Sequence, residues 1–291
     1  MSNLLNLIGN TAIIKLNRYS GKNVEIFAKL EGINPGGSIK DRIALAMIVD
    51  AEKKGLLKNN VQLIEATSGN TGISFAMIAA RKKYSFTAIM PRSVSKERRQ
   101  ILKAYGAKLI LTDGDKGTDY SYEIAKELLK SETSFLMLDQ FKNKNNPNTH
   151  YLTTGEEIIR QLPSITHLVA GMGTGGTLTG IGQRLKEYKS SIKIVGVKPT
   201  NGKKIQGLRD MNSFIPSVFD QKILDKRVQV SDDVAIKMMK DLAKKEGLFV
   251  GMSSGAALWG AIQISKKLQF GNILVIFPDR GEKYLSMKFF K

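Results

Sequence analysis

Asn34-Pro35-Gly36-Gly37-Ser38-Ile39-Lys40-Asp41-Arg42 is the stretch from which the rest of the chain can be read. Pro35 and the paired glycines predict a tight turn, Ser38 offers a hydroxyl to orphan backbone N–H groups, and Ile39 to Met47 carry a helical apolar pattern. Lys40 is thereby predicted in a first helical turn. A cation there opposes the helix dipole, so helix stability gives no reason for it. A positive local potential and partial burial both lower a lysine's pKa, and such a siting suits a lysine used as an amine. A solvated lysine in a simple or phosphate-binding turn is the plainer reading of this segment taken alone.

Two more segments bear on that choice. Thr67-Ser68-Gly69-Asn70-Thr71-Gly72 follows the apolar run Val61 to Ala66 and precedes the helical pattern Ile73 to Ala80, which reads as strand, polar turn and helix. Hydroxyls, an amide and backbone N–H groups then meet at a helix N-terminus, where a carboxylate is well held; an ordinary capped turn is the plainer alternative. Gly171-Met172-Gly173-Thr174-Gly175-Gly176-Thr177 follows the apolar strand His167 to Ala170 and opens another helix, offering a cradle for phosphate. One glycine-rich loop is a weak signal, since dinucleotide sites and plain turns use it too. This spacing is not the usual dinucleotide fingerprint, and no ribose-binding acid follows the next strand, Lys193 to Lys198.

Strand-like runs recur at Glu25 to Leu30, Val61 to Glu65, Phe86 to Met90, Lys108 to Leu111, Phe135 to Leu138, His167 to Ala170, Lys193 to Val197 and Asn272 to Pro278. Amphipathic helices separate most of them, the signature of a parallel α/β architecture. At 291 residues and 42% hydrophobic content the chain can bury two substantial cores.

Lysine, carboxylate-binding turn and phosphate cradle, in that order, resemble the fold-type II pyridoxal-phosphate enzymes, and within them the cysteine synthases (O-acetylserine sulfhydrylases). The resemblance spans nearly the whole chain. It includes Leu7-Ile8-Gly9-Asn10-Thr11, Gln140-Phe141, Thr153-Thr154-Gly155 with Glu157-Ile158, Gly251-Met252-Ser253-Ser254-Gly255-Ala256 and Pro278-Asp279-Arg280-Gly281-Glu282-Lys283-Tyr284-Leu285-Ser286. The last of these and Gly207-Leu208-Arg209 look closer to the B-type isozyme. The resemblance implies two lobes of mostly parallel sheets flanked by helices, like the tryptophan synthase β chain. Residues 1–40 with 146–291 would form a larger cofactor-binding lobe and residues 41–145 a smaller mobile one.

The same resemblance implies pyridoxal 5'-phosphate as cofactor, with Lys40 as its Schiff-base lysine and later the proton shuttle. Asn70 would meet the ring hydroxyl, Gly173, Thr174, Gly175, Gly176 and Thr177 would hold the phosphate, and Ser253 would face the pyridine nitrogen, with Ser254 as the adjacent alternative. A neutral hydroxyl there makes the cofactor a weaker electron sink and favours elimination. Thr67, Ser68, Asn70, Thr71 and Gln140 would bind the amino-acid substrate. The implied chemistry is β-replacement on a C3-substituted L-alanine through an α-aminoacrylate. O-acetylserine and sulfide would give L-cysteine; run on L-cysteine, the same machinery would release hydrogen sulfide and form L-serine, or a thioether with a second thiol.

Four departures from the family's pattern matter. Asp210 stands where B-type enzymes usually carry a second arginine, and could repel an anionic second substrate. Asp232 could activate water or steer a thiol toward cysteine breakdown; capping or favouring the dipole of the helix it begins is the plainer role. Ala12 and Lys142-Asn143-Lys144 bear on loop geometry only.

No cysteine is present, which excludes disulfides and thiolate metal sites, and only His150 and His167 are available as imidazoles, so a histidine-rich metal site is excluded as well. Both histidines read as packing or capping residues. The formal charge of +19 would suit nucleic acid, an anionic membrane or an acidic partner, but its lysines are scattered over helix faces without interleaved aromatics, as in Glu52-Lys53-Lys54 and Lys244-Lys245-Glu246. A basic nucleic-acid-binding or scaffold protein is therefore the lesser alternative. No signal pattern or long apolar span is evident, and a cytoplasmic protein with neither nucleic acid nor membrane as partner is expected. The resemblance adds a homodimer and, as a further partner, the C-terminal tail of serine acetyltransferase.

Overall fold

The eight strands expected from apolar runs all form, and two more join them. The computed structural model of the protein describes residues 3–58, 60–202, 205–212 and 214–290. Its strands are β1 (Ile13–Lys15), β2 (Val24–Leu30), β3 (Gln62–Ala66), β4 (Ser85–Pro91), β5 (Lys108–Thr112), β6 (Phe135–Met137), β7 (His167–Gly171), β8 (Lys193–Pro199), β9 (Lys226–Val230) and β10 (Gly271–Phe277). One sheet has the order β1-β2-β10-β7-β8-β9 and the other β5-β4-β3-β6. Every pairing is parallel except that of β1 with β2.

The two additional strands are the two edges of the six-stranded sheet. Of the three β1 residues none is fully buried, and in β9 only Val230 is. An edge strand needs only one covered flank, so it carries no continuous apolar run to betray it. The central strands do: β10 and β4 are buried along nearly all their length. The helix Met252–Ser265 is apolar around most of its circumference because the sheet covers one side and the helix Asp232–Glu246 the other, in one core cluster. Among the described residues no helix is long and apolar enough to cross a membrane.

The helix Lys40–Lys53 is fastened to the six-stranded sheet by charge. Arg42 donates from Nε and Nη2 to Glu31 (2.8 and 2.9 Å) and from Nη1 and Nη2 to Glu157 (both 2.7 Å). Lys29 Nζ lies 2.9 Å from Glu157 Oε2, and all four side chains are almost wholly enclosed. Such a cluster persists because every charge in it is matched and hydrogen-bonded. It holds the first helical turn, and so Lys40, in one place.

Replacing Arg42 with Met strands the Glu31 and Glu157 carboxylates, and urea unfolding should show a loss of about 3–5 kcal/mol. The acid limb should change with it. Burial raises the Glu157 carboxyl, but Arg42 and Lys29 outweigh burial and hold it at about 2. Its contribution is therefore complete above its ordinary value of 4.5 and lost as pH falls toward 2. In R42M, acid unfolding should begin at higher pH than in the wild type; an unchanged acid limb would remove the cluster from this role.

Candidate active site

Strands of a parallel sheet all point their carboxyl ends one way, and both sheets here aim them at a shared cleft of about 400 Å³. Pro91 at the end of β4, Gly171 of β7, Pro199 of β8 and Pro278 after β10 lie on its wall. This is where open α/β sheets place ligands. Thr67, Ser68, Asn70, Thr71 and Gln140 reach it from the four-stranded sheet; Lys40, Gly173, Thr174, Gly175, Thr177 and Ser253 reach it from the six-stranded side.

Lys40 is the first residue of its helix, and the backbone N–H that it presents is accepted by Ser38 Oγ at 3.3 Å. Enclosure by protein lowers its pKa to about 8, against the pull of the Asp279 carboxylate. At neutral pH a usable share of this amine is unprotonated, unlike that of a surface lysine. The neighbouring Asp41 is buried and ties the preceding turn to the second sheet's helix: Oδ2 accepts from Gly36 N (2.6 Å) and Oδ1 from the Ser74 hydroxyl.

The polar turn after β3 is built to donate. Thr67 Oγ1 accepts the N–H groups of Gly69 (3.0 Å) and Gly72 (3.1 Å), which leaves its own proton to give. Thr71 Oγ1 donates to Gln140 Oε1 (2.7 Å), while Gln140 Nε2 donates to Ala66 O (3.0 Å), so the Gln140 amide keeps one proton for the cleft. Beneath it, Glu65 accepts the backbone N–H groups of Asp139 and Gln140; burial pushes this carboxyl up to about 8. Asn70 Nδ2 donates to Asp279 Oδ2 (2.8 Å) and its Oδ1 accepts from Lys283 Nζ (3.1 Å), again leaving one amide proton.

On the other wall, the loop between β7 and the helix Gly176–Tyr188 presents Gly173, Thr174 and Gly175, and the first turn of that helix presents Thr177; Gly176 is buried and outside the lining. Ser253 opens onto the cleft, whereas Ser254 is fully buried and outside the lining. Of the described lining residues only Asp119 and Asp210 are carboxylates. Asp119 pairs with Arg209, whose guanidinium stacks 4.8 Å from the Phe141 ring and 5.2 Å from Phe214; Asp210 Oδ1 accepts from Asn212 N at 3.0 Å.

Asp232 is not brought to this wall. It is half-buried at the head of the helix Asp232–Glu246, where Ser231 Oγ accepts from Val234 N (3.4 Å) as the cap and the two aspartates occupy the first turn. His167 opens β7, at the opposite end of the sheet from the cleft. His150 is different: it is fully buried directly behind the glycine loop, with Nε2 3.2 Å from Thr177 Oγ1. Asn146, Glu65, Asp279 and Lys283 also support the cleft wall; Asp279 and Lys283 lie in the segment Pro278 to Ser286 that carries the resemblance, but the sequence reading assigns no role to any of the four. Only the spacing of Asn146 and His150, one helical turn apart, hinted at a shared face.

A family model described as "Pyridoxal-phosphate dependent enzyme" matches residues 4–279. The chain belongs to this family. It is 45% identical to a cysteine synthase of Aquifex aeolicus over 99% of this chain and 91% of that one. It is 44% identical to cysteine synthase B of Salmonella typhimurium over 98% and 95% respectively. Among solved structures it superposes with a TM-score of 0.94 on a hydrogen sulfide-producing enzyme from Fusobacterium nucleatum, 42% identical, over 98% of this chain and 100% of the other.

The donor set fits pyridoxal 5'-phosphate. An amine of lowered pKa suits a carbonyl partner, the N–H groups and hydroxyls at a helix N-terminus suit a phosphate, and a neutral serine hydroxyl suits an uncharged ring nitrogen. The state of Lys40 is directly measurable. In the cofactor-stripped protein, acylation of Lys40 by a small neutral reagent, followed by peptide mass spectrometry, should rise with a midpoint near 8. A midpoint at 10 or above, as for the exposed lysines at about 10.4, would mean an ordinary ammonium.

Proposed function

We propose that the protein carries out β-replacement on a C3-substituted L-alanine, with O-acetylserine and sulfide giving L-cysteine. The observation that carries this reading is Lys40, an amine of lowered pKa placed between a donor-rich turn and a glycine loop. The names of the Aquifex and Salmonella relatives support the choice of reaction. Pyridoxal phosphate, when bound, supplies the electron sink that lets the substrate's α-C–H bond break.

The chain's own residues do the rest. Lys40 would hold the cofactor through its amine and, once released by the incoming amino acid, take the α-proton and later return it. Thr67, Ser68, Asn70, Thr71 and Gln140 would receive the substrate's carboxylate; the free protons on Thr67 and the Gln140 amide are donors of the right sign. Gly173 to Thr177 would take the phosphate, Asn70 the ring hydroxyl and Ser253 the ring nitrogen. The smaller lobe, residues 41–145, would close on substrate and keep water from the reacting carbon. We assign the protein to the cytoplasm as a homodimer, with the serine acetyltransferase tail as a further ligand of the Thr67–Thr71 turn.

The superposition on a hydrogen sulfide-producing enzyme favours a second reading, in which L-cysteine is the substrate and sulfide the leaving group. Adding O-acetylserine and, separately, L-cysteine to the yellow holoenzyme while assaying sulfide decides between them. On the first reading the absorbance responds to O-acetylserine and cysteine forms on adding sulfide; sustained sulfide release with serine accumulating from cysteine would replace it with the second. In K40A, borohydride should fix no cofactor to the chain, and turnover should fall by at least about 100-fold. In D232N, a fall in sulfide release far beyond any fall in synthesis would give Asp232 a chemical role; equal change would leave it as a first-turn acid.

A further inference from the structure

The segment behind the glycine loop determines which way that loop's hydroxyl protons point. Asn146 and His150, one helical turn apart and both fully buried, share one face of the continuous helical stretch formed by Asn145–Thr149 and the π-helical turn His150–Gly155. Two glycines one turn apart on the facing helix let this face approach. A Cβ on Gly176 would sit 2.0 Å from Asn146 Oδ1, and one on Gly180 would sit 2.0 Å from Pro147 O and 2.8 Å from His150 Cβ. The contact is closed at Thr174 and Thr177, both on the cleft wall.

At Thr174 the bookkeeping of protons is fixed by Asn146. Its Nδ2 donates to Gln140 O (2.8 Å), which settles the amide's orientation, and to Thr174 Oγ1 (3.1 Å). Thr174 Oγ1 also accepts Gly176 N (3.3 Å). With both lone pairs used, that hydroxyl can only donate.

At Thr177 the choice falls to His150. Nδ1 lies 3.0 Å from Thr154 Oγ1 and Nε2 3.2 Å from Thr177 Oγ1. If Nδ1 carried the proton, the Thr154 hydroxyl would accept, and its own buried proton would have no other acceptor among the described residues. Leaving it so costs about 1–3 kcal/mol. If Nε2 carries the proton, Thr154 donates to Nδ1, His150 donates to Thr177, and the Thr177 proton is left for the cleft. A doubly protonated ring would again strand Thr154. It would also place a buried charge near Lys40 and Arg42, opposed by Glu157; burial and these cations drive the imidazole well below its ordinary pKa.

We propose that Asn146 and His150 are positioning residues that turn the hydroxyl protons of Thr174 and Thr177 toward the cofactor's phosphate, His150 doing so as the neutral Nε2–H tautomer. The proposal rests on reading the glycine loop as the phosphate seat. It assigns His150 no contact with substrate and no proton transfer.

With two histidines in the chain, the tautomer can be read directly. In ¹⁵N-histidine-labelled protein, with H167Q identifying the other ring, His150 should show a protonated Nε2 and a bare Nδ1, unchanged from about pH 5.5 to 8.5. An Nδ1–H tautomer, or titration near the ordinary value of about 6.5, would overturn the proposal. A second measurement separates positioning from simple packing. Full-length H150A, stripped and refilled, should bind pyridoxal phosphate about tenfold more weakly than wild type. H150Q, whose amide can donate from near the Nε2 position, should stay within about threefold. Pyridoxal, which lacks the phosphate, should bind all three alike; an equal loss for pyridoxal, or no loss for pyridoxal phosphate in H150A, would sink the idea. The tautomer is measurable with or without cofactor. Failure of the cofactor reading, seen as wild-type protein that binds no pyridoxal phosphate, is thus distinct from failure of this proposal.

Discussion

The two sheets are joined at the amide of Asn70, and the working geometry depends on that junction. Asp279, two residues beyond β10, accepts from Asn70 Nδ2 and from the Tyr284 hydroxyl, both at 2.8 Å. Lys283 donates to Asn70 Oδ1 (3.1 Å) and to the carbonyls of Gly36 (3.1 Å) and Gly37 (3.0 Å), the turn that delivers Lys40. Arg98, from the four-stranded side, lies over the Tyr284 ring at 4.5 Å. The short segment that follows β10 thus holds the turn before Lys40 and the donor-rich turn at a fixed separation. Burial lowers Lys283 to about 8, and Asp279 is the counter-charge that opposes this. Without Asp279, the buried Lys283 ammonium would be left with the smaller pull of Asp41 against the repulsion of Arg98, which is why this carboxylate cannot be a casual surface acid.

The net charge of +19 takes on a more specific meaning beside this geometry. Lys40, Lys283 and Arg98 lie on or beside the cleft, and among the described lining residues the carboxylates are Asp119 and Asp210. A positive potential in a low-dielectric cleft draws in phosphates and carboxylates without any basic run in the sequence. The surplus lysines on the surface add to it at long range and are screened by salt, while the buried cations are not.

Eight strands, the order of the three key segments and the placing of Lys40 at a helix start were legible because each is a local property: an apolar run, a turn residue, a period. β1 and β9 were not, since an edge strand such as Lys226-Arg227-Val228-Gln229-Val230 looks polar to any pattern that seeks two buried faces. The support of the site was illegible for another reason. Asn70 and Asp279 are 209 residues apart, and His150 and Thr177 are 27 apart, so their meeting is decided by topology and not by any neighbour in the chain. His150 read as a packing or capping residue because it sits near a helix start; what changes its meaning is the identity of the two hydroxyls at its ring nitrogens. Asp232 shows the converse. Its position at a helix start was legible, and the capping there is supplied by Ser231 instead.

Several charges that fix geometry sit one layer behind the cleft, and many of the groups on the inner wall are neutral donors. Arg42 with Glu31 and Glu157, Asp41 with Ser74, and Asp279 with Lys283 all set positions from behind; Thr67, Asn70, Gln140, Thr174, Thr177 and Ser253 face inward with hydroxyl or amide groups. Preorganised neutral dipoles can hold an anion without the desolvation that a facing charge would demand. On the proposed reading such a wall would recognise a carboxylate, a feature shared by every amino-acid substrate, and would say little about the C3 substituent. Discrimination between leaving groups must then come from elsewhere on the wall. Arg209, paired with Asp119 and stacked against the rings of Phe141 and Phe214, with Asp210 beside it, is a charged part of the lining outside the positions proposed for the substrate carboxylate and the cofactor. A guanidinium already matched by Asp119 is a poor receptor for a second anion, and the adjacent Asp210 opposes one further. On the proposed reading, this end of the cleft would favour a small, weakly charged second substrate such as hydrosulfide or water over a bulky dianion.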